Sequence, residues 1–328
     1  MSLVDIILKN YNAITTVISV CINSYFTYIV IFKSQNAIGS YREILAATGI
    51  FEIFYSLLIV ISNQLLFITP DVFSVYMQPG AIFDNTFLTL HVMSIKVSCI
   101  ALTYGMLEIH FIYRYIAICR PQSLKNLTST SGKFMLFMYF LIHGLILYLI
   151  YVVLLDCDSD TRSEFEDAFS LKTNLSIHDR AIICMTVTIG SEKAIMNGYI
   201  AEILLYIISI YSVLIYLIFG YLIIREFKNT EMSKKTKEMQ ERLTLSLIVQ
   251  TIIPVFSNFL PTIISWSCPL FQLSPPLIFW RFSQIAVSLF PILDPIAVIA
   301  ILPEYRRATL SILLCKPPKQ SNDLFTVG

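Results

Sequence analysis

Charge is what this 328-residue chain has least of. Only 14% of its residues are Asp, Glu, Lys or Arg, against about 25% in an ordinary soluble domain. A chain so short of charge cannot keep its surface in water, and a soluble function is excluded. The charges present nearly cancel, at +1, which removes any bulk electrostatic case for nucleic acid. Seven cysteines contain no CxxC pair, so there is no zinc framework. The four histidines, His91, His110, His143 and His178, are dispersed, and neither HExxH nor GxSxG occurs. No enzyme and no cofactor is expected. Internal repeats and a broken-helix Gly/Pro pair are also missing, which argues against a transporter of the inverted-repeat kind.

What the chain has in excess is oil. Fully 56% of it is hydrophobic, gathered in blocks of about 20 residues or more, the length a helix needs to cross a bilayer core of about 30 Å. Lipid offers no partner to open backbone groups, so the blocks must be helical; they are too long and too weakly alternating for barrel strands. Seven spans are predicted, at about 11–32, 44–69, 86–118, 134–155, 199–224, 243–265 and 277–302. The fold class is an all-α membrane protein, a seven-helix bundle. A short outer N-terminus (1–10) precedes it and a tail (303–328) follows. The first apolar run is too long for a cleaved signal peptide and reads as a retained anchor.

Orientation follows from the basic residues. Sixteen of the 23 lie on one side: after span one, at the end of span three and its loop, after span five, and in the tail. That side is expected to be cytoplasmic, with the N-terminus outside and the C-terminus inside. The loop Arg225–Arg242 carries six basic and four acidic residues and reads as a helical extension of spans five and six. The outer loop of about 156–197 is acidic in its first part. It carries the sequon Asn174-Leu175-Ser176, expected to be glycosylated; the sequon at Asn126 falls on the inner side and should stay bare. Pro303–Leu314 reads as a short amphipathic helix on the inner surface. Cys315 after it is either palmitoylated or a free thiol.

Ionisable groups inside spans are costly and functional by default. Glu52 lies in span two, Lys96 and Glu108 in span three, Asp294 in span seven. Each could instead simply pair with a neighbour or reach the headgroups. Arg114 ends span three in His110-Phe111-Ile112-Tyr113-Arg114-Tyr115, and taken alone it is an ordinary cytoplasmic anchor. Asp294-Pro295 lies deep in span seven, before Tyr305-Arg306-Arg307. Pro295, like Pro254 and Pro261 in span six, frees a carbonyl and permits a kink.

These residues carry a likeness. The chain resembles the nematode seven-transmembrane chemoreceptors of the Str superfamily, the serpentine receptors of the str and srj kind. The likeness rests on Phe51-Glu52-Ile53-Phe54-Tyr55-Ser56 in span two, the His110–Tyr115 run, Leu247–Pro254 in span six, and Pro291-Ile292-Leu293-Asp294-Pro295 with Tyr305-Arg306. It implies a G-protein-coupled receptor for odorants, pheromones or other small environmental chemicals, partnered by a heterotrimeric G protein, in the plasma membrane of sensory cilia. It implies that Arg114, flanked by Tyr113 and Tyr115, takes the place of the arginine in the Asp/Glu-Arg-Tyr motif of rhodopsin-like receptors, and Asp294-Pro295 that of their Asn-Pro motif. Two departures matter. Tyr113 stands where those receptors have an acid, so the resting partner of Arg114 must come from elsewhere. Their outer disulfide also lacks its span-three cysteine: Cys99 lies about 22 Å along the helix from Arg114, inside the membrane. Cys157, Cys184 and Cys268 are the outward cysteines, with Cys184 able to bond to either of the others.

A receptor must couple an outer site to an inner one through a bistable element. The outer halves of spans three, five, six and seven are expected to form the pocket. Lys96 lies about 27 Å from Arg114 on a straight helix, at outer-half depth. It would bind an acidic ligand, or pair with Asp84 or a loop acid. His91, Arg281 and Gln284 are further pocket candidates. Span seven has no lysine, so an opsin-type Schiff base has no support. The inner site would be Arg114 with the loop Arg225–Arg242, and movement at Pro254 and Pro295 would open it, with Tyr305 and Arg306 beside it. The alternative function is a ligand-gated channel or transporter.

Overall fold

In the computed structural model of the chain, residues 3–34, 39–77, 85–177, 180–229 and 233–314 are described. Among them are α1 (Leu3–Lys33), α2 (Tyr41–Ser62), β1 (Gln64–Ile68), β2 (Val72–Met77), α3 (Thr86–Cys119), α4 (Leu124–Thr128) and α5 (Thr130–Leu149), the last continued by a π-helical turn, Ile150–Leu154. There follow α6 (Ser159–Thr173), β3 (Ile182–Thr186), α7 (Glu192–Asn229) and α8 (Lys234–Pro254). A second π-helical turn, Val255–Phe259, leads into α9 (Leu260–Leu270), then come α10 (Leu277–Ile301) and α11 (Pro303–Leu313). Seven of these helices or helix runs are long and apolar enough to cross a membrane: α1, α2, α3, α5, α7, α8 with α9, and α10. The expected seven-helix bundle is present.

Its polarity is inside-out. On α7 the residues Ile203, Ile207, Ile210, Leu214, Leu217 and Tyr221 recur at helical spacing and are each at least half exposed. A soluble helix turns such a stripe inward; here it faces out, where only lipid is a compatible solvent. The interior meanwhile holds Glu52, Glu108, Arg114, Gln250, Asn258 and Asp294, all buried. The central helix is α3, buried along most of its length. Gly144 of α5 lets the two helices approach closely, since a Cβ there would meet the Leu102 side chain at 2.6 Å.

The prolines of α10 show how a kinked helix is repaired. Pro295 has no N–H to give to the carbonyl four residues earlier, which is that of Pro291. That freed carbonyl accepts from Asn23 Nδ2 at 2.6 Å and from Ser19 Oγ at 3.3 Å, both on α1. At Pro254 the helix answers differently, widening into the π turn that follows.

At one end of the bundle the chain departs from the sequence reading. Span two was expected to run to Thr69, but α2 stops at Ser62, where Asn63 turns left-handed (φ 36°) and its N–H bonds back to Ile59 O. Gln64–Ile68 is a strand instead. Pro70 was read as the stop of a helix, yet it sits in the tight turn of a β-hairpin, Thr69-Pro70-Asp71-Val72, closed by Thr69 N–H on Val72 O at 2.9 Å. The expected outer loop of about 156–197 is likewise structured. It contains α6 and β3, and α7 begins at Glu192 rather than 199.

β1, β2 and β3 form an antiparallel sheet in that order, with Leu66 opposite Val75 and Val75 opposite Ile183. Its side chains alternate with period two. Ile68, Phe73, Val75, Met77, Ile183 and Met185 join the core of the bundle. Leu65, Phe67, Val72, Tyr76, Ile182 and Cys184 pack with Phe165 and Phe169 of α6. Both faces are covered, so these strands read as continuous apolar runs, and a run of that kind next to a helix is easily taken for more helix. Cys157 and Cys184 form a disulfide, with Cα atoms 5.2 Å apart, while Cys268 is free. Of the two pairings left open by the sequence, the structure takes the one within the loop between spans four and five.

Candidate ligand cavity and signalling end

Beneath the sheet lies a cavity of about 720 Å³, the space open to its mouth included. Its roof is Gln64, Leu66, Phe73 and Val75 of the hairpin. Its walls include Lys96, Val97 and Ile100 of α3, Ser265 and Trp266 of α9, and Gln284 of α10. Tyr151, from the π turn after α5, and Asn12 and Ile59, from α1 and α2, complete much of the rest. Span five, expected to contribute, supplies no lining residue; spans one, two and four and the sheet take its place.

Two of the four expected pocket residues, Lys96 and Gln284, line this cavity. The other two do not. His91 bonds Tyr148 Oη through Nδ1 at 2.8 Å and packs against Phe87, between α3 and α5. Arg281, at the start of α10, lies outside the lining. The structure adds Tyr151 and Trp266, which sequence reading missed: Trp266 Nε1 donates to Tyr151 Oη at 2.9 Å, both side chains being buried. An aromatic in an apolar span gives no periodic signal of the side it faces. Asp84, weighed as a partner of Lys96, lies outside the described residues, as does Cys315.

Below the cavity the expected acids meet. Glu52 of α2 and Asp294 of α10 both border a small space shared with His110, Thr103 and Gln250. Gln250 Nε2 donates to Asp294 Oδ2 at 2.9 Å. Glu108 lies apart, between α3 and α5, and is fully buried. Tyr139 donates to its carboxylate, and His143 Nε2 is 3.2 Å from the same oxygen.

At the far end of α3, Arg114 is only 2% exposed. Its Nη2 donates to Gln240 O at 3.0 Å and to Thr244 Oγ1 at 3.3 Å, both on α8, and its guanidinium lies 5.8 Å from the centre of the Tyr41 ring. Tyr41 Oη bonds His110 Nδ1 at 2.8 Å, and His110 Nε2 bonds Thr48 Oγ1 at 2.8 Å. Tyr113 packs on Tyr41, with ring centres 5.3 Å apart, and Tyr115 on Phe219. Tyr305 of α11 is buried, bonds Ser34 Oγ at 2.7 Å and meets the Phe26 ring edge-on. Arg306 is exposed. Pro254 lies in the middle of the sixth span, and Pro295 in the last two turns of the seventh.

A model of the serpentine seven-helix G-protein-coupled chemoreceptors called Srj matches residues 2–309. The chain belongs to the Srj family. Its similarity extends to serpentine receptor class J-38 of Caenorhabditis elegans, 27% identical over 87% of both chains. Serpentine receptor class r-10 of Caenorhabditis briggsae is 22% identical over 92% of this chain and 89% of that one. The G-protein coupled receptor str-217 of C. elegans is 23% identical over 92% and 88%. The sequence resemblance is thereby borne out at the level of the family, and this member of it is a multi-pass membrane protein of receptor type.

Proposed function

We propose that the chain is a chemosensory receptor that binds a small environmental molecule in the cavity beneath the sheet and activates a heterotrimeric G protein at the Arg114 end. The cavity end faces outward and the Arg114 end inward, in the plasma membrane of a sensory cilium. One observation carries the reading. Arg114, on the third span, is bonded to the backbone and a hydroxyl of the sixth span, one helix run away from Trp266 in the cavity wall. The two sites share α8 and α9, joined through the π turn after Pro254. A ligand that repositions Trp266 therefore bears on the same helix run that holds Arg114. Release of the guanidinium from Gln240 and Thr244 would open the inner end between spans three and six, a two-state element of the kind signalling requires.

The test is a calcium response in cells expressing the chain with a promiscuous Gα, against volatile and water-soluble chemicals, with the Gα omitted in parallel. The response is expected to need the Gα. It should vanish in Arg114→Ala while surface labelling stays at the level of the parent. A response that persists without the Gα would install the channel reading, and normal signalling by Arg114→Ala would remove the role assigned to that residue.

A further inference from the structure

Several polar groups around the cavity are already bonded, while Gln284 Oε1 is buried without a described partner. Gln284 Nε2 donates to Gln64 O at 3.1 Å, and Gln64 Nε2 donates to Met93 O at 2.8 Å. Ser265 bonds the backbone of its own helix. Among the described residues, donors are left over on Asn12, Tyr151 and Lys96. Tyr151 accepts from Trp266, and its own hydrogen goes to no described residue. Lys96 brings an ammonium with three donors, and it is the one charged side chain among the lining residues. No described carboxylate pairs with it.

An ammonium on the third span of a bundle is costly without a counter-ion. Placed on the wall of a cavity that opens at its mouth, it is satisfied most directly by an anion that enters there. Much of the remaining wall is apolar, Leu66, Phe73, Val75, Val97, Ile100 and Trp266 among it, which suits an anion that carries an apolar body. We propose that this cavity takes an amphiphilic organic acid, its carboxylate on Lys96 and Tyr151 and its hydrocarbon part against Phe73, Val97, Ile100 and Trp266. This deepens the chemoreceptor reading and rests on it, so binding is measured apart from signalling.

Full-length receptor in lipid nanodiscs is heated with straight-chain carboxylates from butanoate to dodecanoate, and with their methyl esters. At least one acid is expected to raise Tm where its ester does not. The apparent affinity for that acid should fall about tenfold or more in Lys96→Gln, the usual cost of losing a charged hydrogen bond. Lys96→Arg keeps the charge and should keep the acid response, so a loss specific to Lys96→Gln is not a folding defect. Because no described carboxylate pairs with the ammonium, Lys96→Gln should also raise the Tm of the empty receptor. An ester as effective as its acid, an acid shift that survives Lys96→Gln, or a series of acids without effect would each overturn the assignment. So would a lower Tm in empty Lys96→Gln, since that would reveal a counter-ion within the protein. Acid binding without any Gα-dependent response would leave this assignment standing and count against the receptor reading instead.

Discussion

Arg114 has no acid beside it, because Tyr113 occupies that position, and the fold answers with acceptors from another span. Gln240 O and Thr244 Oγ1 take two of its hydrogen-bond directions, and Tyr41 covers its face. The motif was visible in the sequence and its partners were not, since they lie 126 and 130 residues away. The same holds for Asn23. A neutral amide in an apolar span carries no distinctive spacing, and the sequence reading passed over it, yet it repairs the carbonyl that Pro295 leaves free. Asn23→Leu keeps the volume roughly and deletes the donor, leaving Ser19 alone on Pro291 O. The loss should be about 1–3 kcal/mol, read as a lower Tm of the purified receptor with surface area and oligomeric state unchanged. An unaltered Tm would mean that Ser19 suffices.

At the scale of elements, the sheet and α6 form a small soluble-like layer stapled to the bundle. The disulfide closes a segment of 27 residues, for which chain entropy gives about 3.5 kcal/mol of stabilisation. Cys157→Ser with Cys184→Ser should therefore unfold this layer well before the spans. Limited proteolysis would cut between residues 156 and 190 in the double variant and not in the parent. The layer also has a pH dependence of its own. Asp158 caps α6, accepting from Thr161 N–H at 2.8 Å and from Ser191 Oγ at 2.5 Å. Partial burial opposes its charge, but these donations outweigh it and hold the carboxyl below the usual Asp range. A depressed carboxyl stabilises the fold above its unfolded pKa of about 3.9 and loses that contribution as pH falls through the lower folded value. Amide exchange in the first turn of α6 should thus stay slow from neutral pH down to about 5 and quicken only in stronger acid. In Asp158→Ala it should be fast throughout; equal protection in the two proteins would show that the cap contributes nothing.

For the molecule as a whole, the outward apolar stripe of α7 and the buried polar interior identify lipid as the solvent. Which end faces the cytoplasm rests on the basic residues, and a glycan can check it. Asn174 is exposed at the end of α6, on the sheet side, whereas Asn126 lies in α4, near the Arg114 end. Endoglycosidase treatment should shift the mobility of the parent and of Asn126→Gln but not that of Asn174→Gln. Loss of the shift in Asn126→Gln alone would invert the proposed orientation.

By itself the sequence determined the number of spans, their helical state and the order of the family motifs along them. Those follow from average hydropathy over about 20 residues and from local runs, and neither depends on what a helix faces. It also flagged Glu52, Lys96, Glu108 and Asp294, because a charge in oil stands out wherever it points. Only the tertiary structure decided which side of each helix turned inward. That choice brings Glu52 and Asp294 to one small space, puts Tyr151 and Trp266 in the cavity wall, leaves His91 and Arg281 out of it, and pairs Cys184 with Cys157. It also made a strand of Gln64–Ile68, because an apolar run between two covered faces has the same composition as the end of a span. Contacts such as Asn23 with Pro291 join residues 268 apart in the chain, and no local pattern reports a partner chosen by packing at that distance.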